Sequence, residues 1–280
     1  VTSTDHFITY KPKAPELSGI IAYYYLHVCD EVDAEHRYVY YPHYRNAITC
    51  YLHSDVDLKI GLANVKPDAS AGLTTLFSRN YNERILVSIK APFTKLGVAF
   101  EPLGVQRFLN RKFSEVAVQT SVRFAELGEG FDELAQMVLS CPMEDPTSHL
   151  DRFFLENLQP NKAAKMGRIV AHLFAEKEHS PLEELAREYG LSLRSLQRKF
   201  KDHLMCSPRE YRRLIRFRSA VNTYQFAERQ TSFTQLALEH NYYDQPAFIK
   251  HFKQIAGKSP RDFFNHIQQY GSEDTFWTKA

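Results

Sequence analysis

At 280 residues the chain can hold one large domain or two ordinary ones, and 44% hydrophobic with 24% charged residues is a globular composition, not that of a disordered tail. No apolar run approaches the roughly 18 residues of a membrane span, so no membrane partner is expected. The opening VTSTDHFITYKPK lacks a charged-then-apolar signal pattern and points to the cytoplasm.

The formal charge of +2 hides an asymmetry: residues 161–280 carry 20 Lys and Arg against 13 Asp and Glu, whereas residues 1–160 carry 15 against 20. A change of sign between halves suggests two domains, the basic one suited to a polyanion. Cys29, Cys50, Cys141 and Cys206 are scattered without a CxxC spacing and read as reduced packing residues.

The first hundred residues read as strands. GIIAYYYLHV, RYVYYP, NAITCYLH, GLTTLFS, RILVSIK and KLGVAFEP are rich in aromatic and β-branched residues, and the turn-formers ANVKPDASA and SRNYNE lie between them. Such a series suggests a barrel or sandwich. From about Leu103 the apolar spacing changes to three and four, in LGVQRFLNRKF, GFDELAQMVLS and SHLDRFFLENL, as helices require. LQPNKA is the expected domain boundary. Beyond it seven helical segments run to about residue 268: AAKMGRIVAHLFAEK, PLEELAREYG, SLRSLQRKFKDHL, PREYRRLIRFRSAVNTYQFA, SFTQLALEHN, DQPAFIKHFKQIA and SPRDFFNHIQQ. They predict a compact bundle without a sheet, and residues 271–280 read as a tail.

Within the bundle FKDHLMCSPR at 200–209 is echoed by FKQIAGKSPR at 252–261. The repeat extends outward. ELAREYGLSLRSLQRKFK stands over QLALEHNYYDQPAFIKHFK, matching Leu185 with Leu236, Ala186 with Ala237, Gly190 with Asn241, Leu196 with Phe248 and Phe200 with Phe252. One residue is inserted in the second turn. Each unit is a helix, a turn at Gly or Asn, and a second helix capped by Ser192 or Asp244. Ser207 and Ser259 should cap the helices that follow, with Pro208 and Pro260 in their first turns. This is the layout of a helix-turn-helix, whose second helix enters the major groove of DNA.

Leu196 and Phe200, four apart, should point inward, which turns Arg194, Gln197, Arg198 and Lys201 outward as one stripe. Arg suits guanine, Gln suits adenine and Lys201 suits a phosphate. A solvated polar face would show the same spacing, but residues 194–218 hold nine basic and two acidic side chains. The matching stripe of the second unit is Pro246, Ile249, Lys250 and Lys253, with Gln245 a further hydrogen-bonding group. The first unit should therefore supply most sequence discrimination, and the second more of the backbone affinity.

These residues resemble the AraC/XylS-type (arabinose-regulator) family of bacterial transcription regulators over about residues 164–268. LALEHNYYDQPAFIKHFKQIAGKSPRDFF is similar to the family's signature. The resemblance implies two helix-turn-helix units joined by the helix REYRRLIRFRSAVNTYQ. It also implies base contacts at Arg194, Gln197 and Arg198 and at Gln245, Ile249 and Lys250; on side-chain chemistry, Lys201 and Lys253 belong to the phosphate side. Met205 stands where the family pattern has a Gly, kept here as Gly257, which puts a left-handed bend in doubt or strains it by about 1 kcal/mol. Residues 1–160 resemble the sensor half of such regulators, often cupin-like. The resemblance implies an activator, RNA polymerase as a partner, and a small-molecule effector and homodimer as options.

His36, His43 and His53 are seven and ten apart and lack the close His-x-His pattern of a metal-binding cupin. No phosphate-cradling loop, nucleophile elbow or His-Glu-x-x-His pattern occurs. No catalytic residue, metal or cofactor is expected, and the effector-binding residues are left unassigned. The sequence thus predicts an α+β chain. A β-rich, barrel or cupin-like domain with appended helices occupies 1–160, an all-α double helix-turn-helix domain 161–270, and a tail 271–280. Two alternatives remain open: an N-terminal half acting as a constitutive interaction module, and an enzyme fused to a DNA-binding domain.

Overall fold

The computed structural model describes residues 5–31, 34–79, 83–116, 121–124, 127–176, 180–227 and 231–279. The centre of the turn expected in SRNYNE lies outside them. Two six-stranded sheets form the N-terminal half. The first contains β1 (Asp5–Tyr10), β2 (Ile21–Cys29), β4 (Asn46–Tyr51), β7 (Thr74–Ser78), β9 (Phe93–Phe100) and β10 (Ser121–Arg123), in the order β1-β2-β9-β4-β7-β10. The second contains β3 (Glu35–Tyr40), β5 (Ser54–Lys59), β6 (Leu62–Pro67) and β8 (Ile85–Lys90), in the order β3-β8-β6-β5, and is extended beyond β3 by two C-terminal strands. Only β6 and β8 pair in parallel among these neighbours.

The alternation of side chains makes three layers. On β2, Tyr24 and Leu26 face away from the second sheet and join Ile48, Phe77, Leu96, Val98 and Phe100 in a core shared with helices. Those helices are α1 (Phe113–Val116), α2 (Phe131–Ser140) and α3 (Thr147–Glu156), with a short 3-10 turn at Gly104–Phe108. Cys29, Tyr51, Leu76 and Phe93 face the other way and meet Tyr38, Val56, Val65 and Val87 of the second sheet. A first-sheet strand covered on both faces has no polar side to expose, which is why GIIAYYYLHV reads as continuous rather than alternating. The LGVQRFLNRKF segment, expected as one helix, forms only the 3-10 turn, and α1 begins at its last residue, Phe113.

Seven helices follow among the described residues: α4 (Ala164–Ala175), α5 (Leu182–Glu188), α6 (Leu193–Leu204), α7 (Pro208–Phe226), α8 (Phe233–Glu239), α9 (Gln245–Ala256) and α10 (Pro260–His266). The last expected helix stops early. Residues Ile267–Gln269 form β11, Phe276–Lys279 form β12, and β12 pairs with β3, Trp277 opposite Tyr40 and Lys279 opposite Tyr38. The expected sheetless C-terminus and free tail are thus corrected. Four residues carry too short a pattern to announce a strand, and this one exists because the edge of β3 offers it a ladder.

The two halves share a core. Tyr41, Tyr44 and Leu103 of the β half and Phe276 of β12 are buried in the same cluster as the helical domain's Met166, Phe217 and Phe263.

Candidate nucleic-acid interface

Both helix-turn-helix units are built by the same hydrogen bonds. In the first, Gly190 has φ 63°; its N–H donates to the Arg187 carbonyl at 2.9 Å, and Leu191 N–H donates to Ala186 at 2.8 Å. In the second, Asn241 has φ 58°; its N–H donates to Leu238 at 3.3 Å, and Tyr242 N–H donates to Ala237 at 2.9 Å. This is a helix C-terminus closed through a left-handed residue, a conformation that Gly and Asn accept most readily. Ser192 Oγ then accepts from Ser195 N–H at 3.2 Å to open α6, and Asp244 Oδ1 accepts from Ala247 N–H at 2.7 Å to open α9. Leu196, Phe200, Phe248 and Phe252 are fully buried, as their spacing requires.

At the far ends, Met205 and Gly257 both adopt the left-handed conformation, with φ 58° and 71°. The bend in doubt at Met205 is present. Its side chain packs against the N-terminal half's core, which gives a physical reason for a large residue at a strained position. Ser207 caps α7 in a full capping box with Glu210, Ser259 caps α10, and Pro208 and Pro260 take the first helical positions.

The outward stripe of α6 is laid out as expected: Arg194, Gln197, Arg198 and Lys201 are all exposed. On α9, Lys250 and Lys253 are exposed, Gln245 is half-buried and accepts from Thr234 Oγ1 at 2.9 Å, and Ile249 is half-buried against the domain core. Ile249 therefore offers only part of its side chain to a groove. The residue inserted in the second turn is Tyr243, which has no counterpart in the first unit and is 95% exposed. The insertion is visible in the sequence, although its spacing alone does not say which residue is extra. The aligned pair Leu191 and Tyr242 would have isolated it.

The basic run 194–218 is less uniform than its count suggests. Arg212 meets Glu176 at 2.8 Å and the Ser180 carbonyl at 3.0 Å. Arg213 meets Gln254 at 2.6 Å, and Arg216 meets the Asn241 carbonyl at 3.0 Å and covers the Tyr242 ring at 4.7 Å. Arg218 is buried and donates to the Asp274 carbonyl at 2.6 Å. These four α7 arginines hold the two units together and bind the tail, so the cationic surface left for a partner belongs mainly to α6 and α9.

The N-terminal half grips the C-terminal ends of both recognition helices. Gln106 Nε2 donates to the His203 carbonyl at 2.7 Å and Arg79 to that of Met205 at 3.4 Å. Arg84 donates to the Ala256 carbonyl at 3.4 Å, its guanidinium lying where a side chain at Gly257 would begin. Cationic groups at helix C-termini complement the unpaired carbonyls and the dipole there.

Between the sheets lies a cavity of about 100 Å³ walled by Tyr23, Tyr25, Tyr38, Tyr51 and Trp277. Lys95 is buried in it, its ammonium 3.1 Å from the Tyr38 hydroxyl and 4.9 Å from the Trp277 ring centre, and burial pushes its pKa down to about 7. At the end toward α7, Arg45 pairs with Glu101 at 2.7 Å and with Asp274, which also meets His43 at 3.1 Å. Burial alone would raise the Asp274 carboxyl, but the His43 ring and the Arg45 and Arg218 guanidinium groups hold it well below the usual carboxylate range. The cavity wall thus combines both sheets, the central helix through Arg218 and the last strand.

A family model described as a helix-turn-helix domain matches residues 185–266. No curated protein matches the chain. Among solved structures, the chain is similar to a transcriptional regulator of the AraC-type DNA-binding-domain proteins from Chromobacterium violaceum. Identity there is 25% over 35% of this chain and 88% of that one, with a TM-score of 0.33. It is similar to the C-terminal domain of AraT, a response regulator from Geobacillus stearothermophilus, at 21% identity over 37% and 85% of the two chains, TM-score 0.34. It is also similar to unsaturated fatty acid-bound ToxT from Vibrio cholerae, at 11% identity over 94% and 95%, TM-score 0.48. The family match spans both helix-turn-helix units.

Proposed function

Residues 185–266 are a helix-turn-helix domain of the AraC type, and on that premise we propose that the chain is a sequence-specific, DNA-binding transcription regulator that works in the cytoplasm. The observation that carries this reading is the duplicated unit itself. Two helix-turn-helix motifs have matching turns and caps, and each presents an exposed cationic face. Arg194, Gln197 and Arg198 of α6 and Lys250 of α9 read base edges, and Lys201 and Lys253 neutralise phosphates. Gln245 and the exposed part of Ile249 add contacts in the second half-site.

The N-terminal half senses a small molecule in the cavity between the sheets. Support comes from the cavity's wall, which includes Arg218 of α7 and Asp274 of the tail, so its occupancy is mechanically joined to the DNA-reading domain. An effector that bears on these residues shifts how the two recognition helices are presented, to the extent that it binds one presentation better than the other. Recruitment of RNA polymerase, and dimerisation through the N-terminal half, follow from the resemblance to AraC-type activators.

The test is selection of bound DNA from a random duplex pool by the full chain, followed by titration of the recovered site at several salt concentrations. The log of the binding constant should fall linearly with the log of salt, by about 0.9 per phosphate neutralised. An unenriched pool together with a flat salt profile would remove DNA as the partner.

A further inference from the structure

The end of the sandwich farthest from α7 gathers metal-ligating groups from three strands. Asp5 begins β1 directly opposite Cys29, the last residue of β2, and His36 lies near the start of β3 on the facing sheet. His36 Nε2 is 3.3 Å from Cys29 Sγ, and His36 Nδ1 is 3.9 Å from Asp5 Oδ2. One donor atom from each of the three residues lies within 4.8 Å of the others. With bonds of about 2.0–2.3 Å, a tetrahedral ion spaces its donors by about 3.3–3.8 Å; since one ring nitrogen of His36 must serve, the donors draw together by up to about 1 Å on binding.

A fourth residue fixes the carboxylate. His27, on the same face of β2 and 1% exposed, bonds Asp5 Oδ1 at 2.8 Å, which leaves Oδ2 toward His36. Its Nε2 faces the carboxylate, which accepts, while its Nδ1 is buried without a partner. Ligating carboxylates are characteristically held by such an outer hydrogen bond. An aromatic wall closes one side of the cluster: the Phe93 ring meets His27 edge-on at 4.9 Å and His36 at 5.5 Å.

The geometry points to a transition-metal site of the zinc class, ligated by Cys29 Sγ, His36 and Asp5 Oδ2, with His27 orienting the carboxylate and a fourth coordination position open. A thiolate with an imidazole suits zinc and disfavours magnesium and calcium, which take oxygen donors. Binding displaces the Cys29 proton to solvent and leaves the thiolate on the metal, with no redox step. The ion would tie β1, β2 and β3 together across both sheets. This departs from the expectation of no metal, which looked for histidines close in sequence. Here His43 is committed to Asp274 and His53 to the Ala71 carbonyl, and the donors come from separate strands that only folding aligns.

The experiment uses the tag-free full chain, reduced and stripped with chelator, and titrated with cobalt(II) and then zinc. The expected result is one equivalent of cobalt with a thiolate-to-metal charge-transfer band, displaced by zinc. Cys29→Ser should abolish the band, and Asp5→Asn should weaken binding at least tenfold. Cys141→Ser, which alters an exposed thiol elsewhere, should change neither. Should Cys29→Ser fail to fold, Asp5→Asn and His36→Gln decide the matter, since Asp5 is exposed at a strand end and His36 is half-buried. No cobalt binding, or binding that survives these substitutions or vanishes with Cys141→Ser, would overturn the site.

Discussion

Tyr243 is the clearest case of a residue whose position speaks for binding and against packing. A fully exposed aromatic side chain at the entrance to a recognition helix adds nothing to the core, and its neighbour Tyr242 does the structural work by bonding His251 at 2.6 Å. Tyr243→Ala should leave unfolding free energy within about 0.5 kcal/mol of the parent, while the affinity for selected DNA falls several-fold. Urea unfolding and fluorescence anisotropy, run in parallel, check both halves of that statement. Unchanged affinity would return Tyr243 to the class of incidental surface residues.

Two buried histidines predict a pH dependence. Burial, with nearby guanidinium groups adding to it, pushes His43 and His251 each down to about 3 from 6.5. Both rings are neutral in the fold and take up protons in the unfolded chain near pH 6.5. The unfolded state therefore binds more protons below that value, and stability present above it is lost as pH falls toward 3. Each should remove about 1 kcal/mol per pH unit below 6. Urea midpoints at pH 7 and pH 5.5 measure this, and His251→Gln should reduce the slope. A midpoint unchanged by pH would contradict the assignment.

At the scale of elements, the helix-turn-helix units were legible because each combines a helical period with punctuation that has one physical meaning: Gly or Asn at a left-handed turn, Ser or Asp at a cap, Pro in a first turn. Six strands were legible by their aromatic and β-branched content. β1, β5 and β6 were not, since DHFITY, SDVDLK and LANVKP mix charge, Asn and Pro into short half-exposed runs. The four α7 arginines misled by composition, since partners after α4, in the second turn, on α9 and in the tail cannot be read from a charge count. β12 was the larger omission, because its strand character comes from pairing. Trp277 is 4% exposed and stacks on Tyr38 with ring centres 4.0 Å apart. Trp277→Ala should therefore destabilise the whole chain by about 3–5 kcal/mol, read from chemical denaturation, where a free tail would lose almost nothing.

Over the whole molecule, the C-terminal strand returns to the N-terminal half, and the two halves share a core through Tyr41, Tyr44, Leu103 and Phe276. Arg79, Gln106 and Arg84 hold the ends of both recognition helices from one side, and Asp274 joins Arg45 to Arg218 from the other. The orientation of the reading units is thus set by contacts with the β half as well as by α7. The central claim is that these units read DNA unequally, α6 by bases and α9 more by backbone. Base-preference profiles of the full chain test it most directly, comparing the parent with Arg198→Ala and with Lys253→Ala. Arg198→Ala should cost about 1–3 kcal/mol and flatten preference at one base pair, while Lys253→Ala should weaken all sequences alike and lower the salt slope by about 1. Uniform weakening by Arg198→Ala, with lost base preference in the lysine variant, would contradict the account.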